Sequence, residues 1–312
     1  MKPQEIAEGI LAGDRRAVAR AISMVEDGSP ELPELSSLIY SNTGRAYTVG
    51  LTGAPGAGKS SLTEQLIKAA RSRELTVGVI AIDPTSPFTG GALLGDRLRM
   101  QTHATDPGVF IRSMATRGHL GGLALAVPEA IRILDASGRD LVIVETVGVG
   151  QVEVEIARSA DTTLVVVNPG WGDSIQVAKA GILEIADVFI VNKADREGAD
   201  RAVRDLETMI GMGSNDAWAP PVVATSATKE EGTDAMWDAI HAHRAHLEGG
   251  DRLLHKRGAR LLNEVEEMVS QSLKERAAQL LEADPDLVSS LQQRRIDPYA
   301  ASAAILARAA TG

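Results

Sequence analysis

From residue 46 to about residue 227, short aliphatic runs alternate with stretches whose apolar residues recur every three or four positions. The runs at 46–51, 77–83, 109–113, 141–145, 163–168, 188–192 and 222–225 are apolar or β-branched at nearly every position, as strands buried on both faces must be. Between the first two, Leu62, Leu66, Ile67 and Ala70 mark one face of a helix. This alternation predicts an α/β fold, a mainly parallel sheet with helices on both faces. The first 45 residues show helical spacing only. Ile6, Ile10 and Leu11, then Val18, Ala21, Ile22 and Val25, form apolar faces separated by Gly13 and Asp14. From residue 248 the strands stop, and Leu261, Leu262, Val265, Met268, Val269, Leu273 and Leu280 make one helical stripe with charges between. The expected organisation is an N-terminal helical extension (1–45), an α/β domain (46–247) and a C-terminal helical arm (248–312). The stripe of the arm has to be buried against the chain's own domain or against a second copy. Its length beyond the sheet favours the second, a homodimer.

Composition narrows the function. The 312 residues carry 32 Lys and Arg against 42 Asp and Glu, a net charge of −10 that argues against a nucleic-acid partner. No cysteine is present, which removes disulfides, thiolate metal sites and cysteine nucleophiles and fits a reducing compartment. No run approaches the ~20 apolar residues of a membrane span, and residues 1–5 offer no apolar signal core. A cytoplasmic protein without a membrane partner is the expectation.

Immediately after the 46–51 run stands Gly53-Ala54-Pro55-Gly56-Ala57-Gly58-Lys59-Ser60, followed by Ser61. It satisfies G-x-x-x-x-G-K-[ST], the phosphate-binding loop. Glycines let successive N–H groups turn inward on a phosphate, and the helix that follows adds the partial positive charge of its N-terminus. Lys59 is expected on the β- and γ-oxygens and Ser60 on Mg²⁺, with Ser61 completing the set around the nucleotide.

Two further strand ends carry carboxylates. Leu141-Val142-Ile143-Val144 ends in Glu145, where phosphate-loop enzymes orient Mg²⁺, and Gly148 three residues on could place its N–H on a γ-phosphate. The 77–83 strand ends in Asp83 and runs into a long Pro- and Gly-rich loop reaching Gly95-Asp96-Arg97. Loops of that length in compact domains are usually functional. It is expected to be a switch segment, with Asp83 and Asp96 as second carboxylates near the metal. Asp96 also suits a helix cap or a partner for Arg97. Lys59, Glu145 and Asp96 are the candidate catalytic residues.

The 188–192 strand leads into Asn192-Lys193-Ala194-Asp195, the N-K-x-D pattern that reads guanine. An ionised Asp195 can accept from both N1–H and the 2-amino group. Adenine offers neither donor there and would leave the carboxylate unpaired, at a cost of several kcal/mol. One strand further, Thr225-Ser226-Ala227 places Ser226 and the Ala227 N–H toward guanine O6. The expected cofactors are therefore GTP or GDP with Mg²⁺. Val149, after Gly148, stands where small signalling GTPases carry the water-positioning glutamine. An aliphatic side chain cannot do that work, so slow intrinsic hydrolysis is expected, accelerated by a partner. Gln151, Arg97, Arg112 and Arg117 are the internal substitutes the chain offers.

Together these segments resemble the MeaB/ArgK family of GTPases over nearly the whole chain. The resemblance is carried by residues 53–60, by Asp83-Pro84-Thr85-Ser86 through Gly90-Gly91 and 94–100, by Glu145-Thr146-Val147-Gly148-Val149-Gly150-Gln151, by 192–195, and by Asp297-Pro298-Tyr299-Ala300-Ala301. It implies a homodimeric GTPase whose core is of the class shared with signal-recognition and metal-insertion GTPases, with N-terminal helices and a C-terminal dimerisation arm. It also implies a partner, an adenosylcobalamin-dependent acyl-CoA mutase, typically methylmalonyl-CoA mutase, whose cofactor loading is gated and which is protected from inactivation. Two alternatives differ in class. An ATP-using kinase of an amino-acid transport system is opposed by Asp195. A metal-insertion GTPase would need cargo ligands, for which only His241, His243 and His246 cluster, on what is equally a solvated helix face.

Overall fold

The computed structural model describes residues 2–83, 103, 105–115, 120–146, 158–170, 182–212 and 218–309. Seven parallel strands make one sheet: β1 (Tyr47–Gly53), β2 (Val77–Asp83), β3 (Val109–Ala115), β4 (Leu141–Thr146), β5 (Thr162–Val167), β6 (Val188–Asn192) and β7 (Val222–Thr225). Their order is β3-β2-β4-β1-β5-β6-β7, which sets β1 in the middle. The α/β reading is thus correct, and all seven apolar runs are strands. The first extends past its apolar run to Gly53, because its backbone keeps pairing with β5 as far as Val166.

The helices are α1 (Pro3–Leu11), α2 (Arg15–Glu26), α3 (Leu32–Ile39), α4 (Lys59–Arg71), α5 (Leu120–Ala136), α6 (Ile182–Ile185), α7 (Ala199–Gly211), α8 (Thr233–Glu248), α9 (Arg252–Glu282), α10 (Pro285–Gln292) and α11 (Pro298–Ala309). Alternation along each strand divides the core. Ile80, Ile82, Val142 and Val144 face α5 and the N-terminal helices, which bury Ile6, Ile10, Val18, Ala21 and Ile22. Val49, Leu51, Leu141, Ile143 and Val166 face the opposite way, onto Leu62, Leu66 and Ile67 of α4 and Met236, Trp237 and Ile240 of α8. Leu206 of α7 packs on Val165, Phe189 and Val191. α2 begins on Asp14, whose carboxylate accepts from the N–H groups of Arg16 and Ala17. Arg112 on β3 bonds Ser23 and Glu26 of α2 (3.0 and 2.5 Å), so that arginine joins the sheet to the N-terminal helices.

The chain divides into two compact units, residues 1–258 and 259–312. Within the second, α10 packs on α11, and Asp284 caps α10 through Leu287 N–H while pairing with Arg308 at 2.6 Å. Leu261, Leu262, Val265, Met268, Val269 and Leu273 of α9 are all exposed. Among the described residues no helix is long and apolar enough to cross a membrane.

The amino ends of β5 and β6 carry a buried polar network. Asp161, fully buried, receives Thr48 N–H and a bidentate pair from Arg257 at 2.6 and 3.1 Å. Arg257 also donates to the carbonyls of Gly44 and Ala46. Beside it, Thr162 Oγ1 lies 2.8 Å from His243 Nδ1 and 2.5 Å from the Tyr47 hydroxyl, while His243 Nε2 is 3.2 Å from Asp187. With a neutral imidazole every contact is satisfied when Tyr47 donates to Thr162, Thr162 donates to Nδ1, and Nε2–H donates to Asp187; a charged ring would reverse the first two bonds. Burial, working against the attraction of Asp187, takes His243 down from the usual 6.5 to about 4.

Two outcomes follow. Arg257→Met leaves the Asp161 carboxylate buried without its guanidinium and is expected to lower the unfolding free energy by about 3 kcal/mol in urea titration. For His243 the unfolded chain binds the extra proton first, so its neutral state costs stability as pH falls below 6.5 and the loss levels off near pH 4. The urea midpoint should fall across that window, and His243→Gln, though less stable at pH 7, should flatten the fall.

Candidate nucleotide site

Ligands of open parallel sheets sit at the carboxyl ends of the strands. The polar motifs gather there because the register brings them level. Leu51 pairs with Glu145, so the metal-site carboxylate stands beside the start of the 53–60 loop. Gly53 has φ +133, and a Cβ on it would lie 2.0 Å from the Val166 carbonyl oxygen. Gly58 has φ +93, and a Cβ there would meet Asn192 Nδ2 at 2.2 Å. Only glycine turns the loop this tightly against β5 and β6.

Lys59 begins α4 and is buried. Its Nζ donates to the carbonyls of Gly53 and Ala54 at 2.7 and 2.9 Å, which holds the ammonium across the mouth of the loop. Ser60 Oγ donates to Glu145 Oε1 at 2.5 Å, and Thr63 Oγ1 donates to Oε2 at 2.9 Å. Thr63, one turn along α4 from Ser60, was not singled out by the motif. Its signal is helical spacing alone, since residues three apart share a face. Ser61 follows in the first turn of α4, half-buried.

Asn192, buried at the end of β6, connects three loops. Its Nδ2 donates to the Ala57 carbonyl at 2.7 Å, and its Oδ1 accepts from Thr225 Oγ1 and Ala227 N–H, each at 3.2 Å. The Ala227 N–H, expected to point at guanine O6, is thus shared with Asn192 at a distance near the long end for such a bond. Lys193 takes a left-handed φ of 60 and reaches back to the Gly56 carbonyl at 2.7 Å, so its stem lies along the phosphate loop. Asp195 Oδ1 accepts from Ser226 Oγ at 2.8 Å, and that bond holds its carboxyl below the ordinary carboxylate range. Asp195 is therefore an anion at neutral pH, an acceptor for two N–H groups on one planar edge.

Asp83 closes β2 and pairs with Ala115. Its side chain, together with Asp96, Arg97, Arg117, Gly148, Val149 and Gln151, lies outside the described residues. Arg112 is engaged with Glu26 and Ser23, not with the phosphate loop. Of the histidines considered for metal, His243 is occupied by Thr162 and Asp187, and His241 lies tilted against Trp237 with ring centroids 5.0 Å apart. Among the described residues no three His, Cys, Asp or Glu side chains are grouped to hold a metal ion.

Strand, glycine loop and helix at the centre of a parallel sheet, with an N-K-x-D loop two strands away, define a phosphate-loop guanine-nucleotide protein. The family "Methylmalonyl Co-A mutase-associated GTPase MeaB" matches residues 18–282. A "Putative GTPase" of Pyrococcus abyssi is 52% identical over 308 residues, 97% of this chain and 95% of its own length. The GTPase ArgK of Escherichia coli is 38% identical over 250 residues, 77% of this chain and 76% of its own. The "Fused isobutyryl-CoA mutase" of Cupriavidus metallidurans is 38% identical over 243 residues, 74% of this chain but 22% of that longer one. Among solved structures, a "LAO/AO transport system kinase" superposes with a TM-score of 0.74 at 26% identity, covering 97% of this chain and 96% of its own. The chain belongs to the MeaB family of GTPases.

Gly58→Ala would drive a methyl group into Asn192 from a left-handed backbone. It is expected to weaken binding of a fluorescent GDP analogue by more than about tenfold without loss of the folded state by circular dichroism.

Proposed function

We propose that this chain is a Mg²⁺-dependent, GTP-hydrolysing chaperone of an adenosylcobalamin-dependent acyl-CoA mutase, of the methylmalonyl-CoA mutase class. It gates cofactor loading and protects the mutase. The observation that carries the mutase half is the match, over 74% of this chain, to a segment of a fused isobutyryl-CoA mutase. A polypeptide in which such a segment and a mutase are joined supports a working contact between the two as separate chains.

The nucleotide half rests on the site. Lys59 would shift from the Gly53 and Ala54 carbonyls onto the β- and γ-oxygens, a positive charge meeting the charge that develops in phosphoryl transfer. The donor set beside it is all oxygen, a serine hydroxyl and a carboxylate only 4% exposed, which suits a hard divalent cation. Ser60 would ligate Mg²⁺ and Glu145 would orient it, held by Thr63. An ion held there would supply charge neutralisation to the phosphates. Asp83, Asp96 and Gly148 are proposed to complete the metal and γ-phosphate contacts. Asp195, with Ser226 fixing its carboxylate, selects guanine. The Ala227 N–H joins by turning from Asn192 Oδ1 to O6. Val149 in place of a glutamine leaves intrinsic hydrolysis slow, and the mutase partner accelerates it.

The exposed apolar stripe of α9 supports the pairing of two copies through residues 248–312, the C-terminal arm, with 1–45 and 46–247 as the helical extension and the GTPase domain. The whole assembly is placed in the cytoplasm.

Three measurements check these assignments. Asp195→Asn should lose GTP affinity by about 100-fold and gain affinity for XTP, whose 2-oxo group accepts from the new amide. Calorimetry showing tighter ATP than GTP binding by the unmodified chain would instead favour the kinase reading. Val265→Asp in the stripe should convert a dimer to a monomer in sedimentation velocity, and a monomeric unmodified chain would remove that assignment.

A further inference from the structure

The other ends of the same two central strands bound a cavity that the nucleotide reading does not use. Tyr47 and Leu141 are register partners at the amino ends of β1 and β4, and both line it. Its volume is about 560 Å³, within the range of pockets that enclose small organic ligands. Leu66 of α4, Leu75 and Ile240 of α8 give it apolar walls, and the rings of Tyr47 and Trp237 give it flat ones. Gly53 and Glu145, at the carboxyl ends of β1 and β4, belong to the phosphate site, so the cavity lies at the opposite edge of the sheet.

Its charges are unequally engaged. Two carboxylates line it, and both are taken by the chain's own donors. Asp135 accepts from the N–H groups of Gly44, Arg45 and Ala46, and Asp140 accepts from the Thr76 N–H and hydroxyl at 2.8 and 2.7 Å. Three arginines also line it, and two of them, Arg139 and Arg45, have no carboxylate partner among the described residues. Arg139 is only 7% exposed, yet its Nε has no hydrogen-bond partner among the described residues. Its bond from Nη1 to the Pro107 carbonyl is long, 3.4 Å. A buried guanidinium with an unused donor is costly unless something accepts from it. Arg45 is exposed and has no ion pair among the described residues. Arg244 lies over the Tyr47 ring at 4.8 Å while its Nε bonds Glu248. Apolar and aromatic walls with unmatched guanidinium groups suit one kind of molecule, an anionic head on a flat apolar body.

We propose that this cavity is a second ligand site, separate from the nucleotide site, for a small organic carboxylate with a planar apolar body. The carboxylate is bound by Arg139 and Arg45, and the body lies between Tyr47 and Trp237. Nucleotide is not needed for this binding, so the site stands whether or not the GTPase reading does.

The test is isothermal titration calorimetry of the full chain with 2-naphthoate and with its neutral amide, 2-naphthamide, each with and without saturating GDP and Mg²⁺. The expected result is one naphthoate site with a Kd below about 1 mM, unchanged by GDP, and an amide at least about tenfold weaker. Arg139→Met should weaken naphthoate by about tenfold or more, and Arg45→Glu by several-fold. Should Arg139→Met fail to fold, the exposed Arg45→Glu and the acid-to-amide ratio decide. Equal affinity for acid and amide, competition by GDP, no heat at millimolar naphthoate, or affinity indifferent to Arg45→Glu would each overturn the proposal.

Discussion

One buried side chain holds the nucleotide end of the sheet together. Asn192 sits at the tip of β6 with its amide N–H₂ on the phosphate loop and its carbonyl oxygen on the loop after β7. Both ends of an amide are satisfied in a place where neither could reach water. The phosphate half and the base half of a nucleotide site are thereby fixed at one separation. The same contact explains the glycine at position 58, since a side chain there would occupy the space of the Asn192 amide. It also explains why the N-K-x-D segment follows β6 directly, with no intervening residues to slacken it.

Around that link the sheet and α4 supply both position and charged groups. β1 runs between β4 and β5 at the centre, so its loop is flanked by Glu145 on one side and by the β5 backbone on the other. Thr63 and Ser60 fix both oxygens of Glu145 from α4, the helix whose first residue is Lys59. Cation, hydroxyl and carboxylate are therefore presented by two rigid elements and not by free loops. The opposite edge of the sheet is held differently, by Arg257 on Asp161 and by the neutral His243 between Thr162 and Asp187. Arg257 thus ties the residues that follow α8 to the strands through a buried charge pair.

Much of this was legible in the sequence because it depends on local rules. Parallel strands buried on both faces are continuous apolar runs, and all seven stood out. The phosphate loop, Glu145 and the N-K-x-D segment were visible because each must follow a strand. Boundaries shifted by one or two residues where pairing outlasts the apolar run, as at Gly53, or begins before it, as at Thr162. What stayed hidden depends on tertiary approach. Nothing in the spacing of Arg257 and Asp161, 96 positions apart, announces a bidentate pair. Thr63 reads as an ordinary helix residue until β4 arrives beside it. The Ala227 N–H was assigned to the base from its position, whereas the fold gives it a second acceptor in Asn192. Arg112, a plausible catalytic substitute by charge alone, turns out to serve the packing of α2 on β3.

The proposed function makes the site a GTP switch read by a mutase partner. Single-turnover GTP hydrolysis, measured with and without an adenosylcobalamin-dependent acyl-CoA mutase from the same organism, decides the matter. A slow rate for the chain alone and a rise of about tenfold or more with saturating mutase are expected. A fast rate without any partner, or a rate that the mutase leaves unchanged, would contradict that reading.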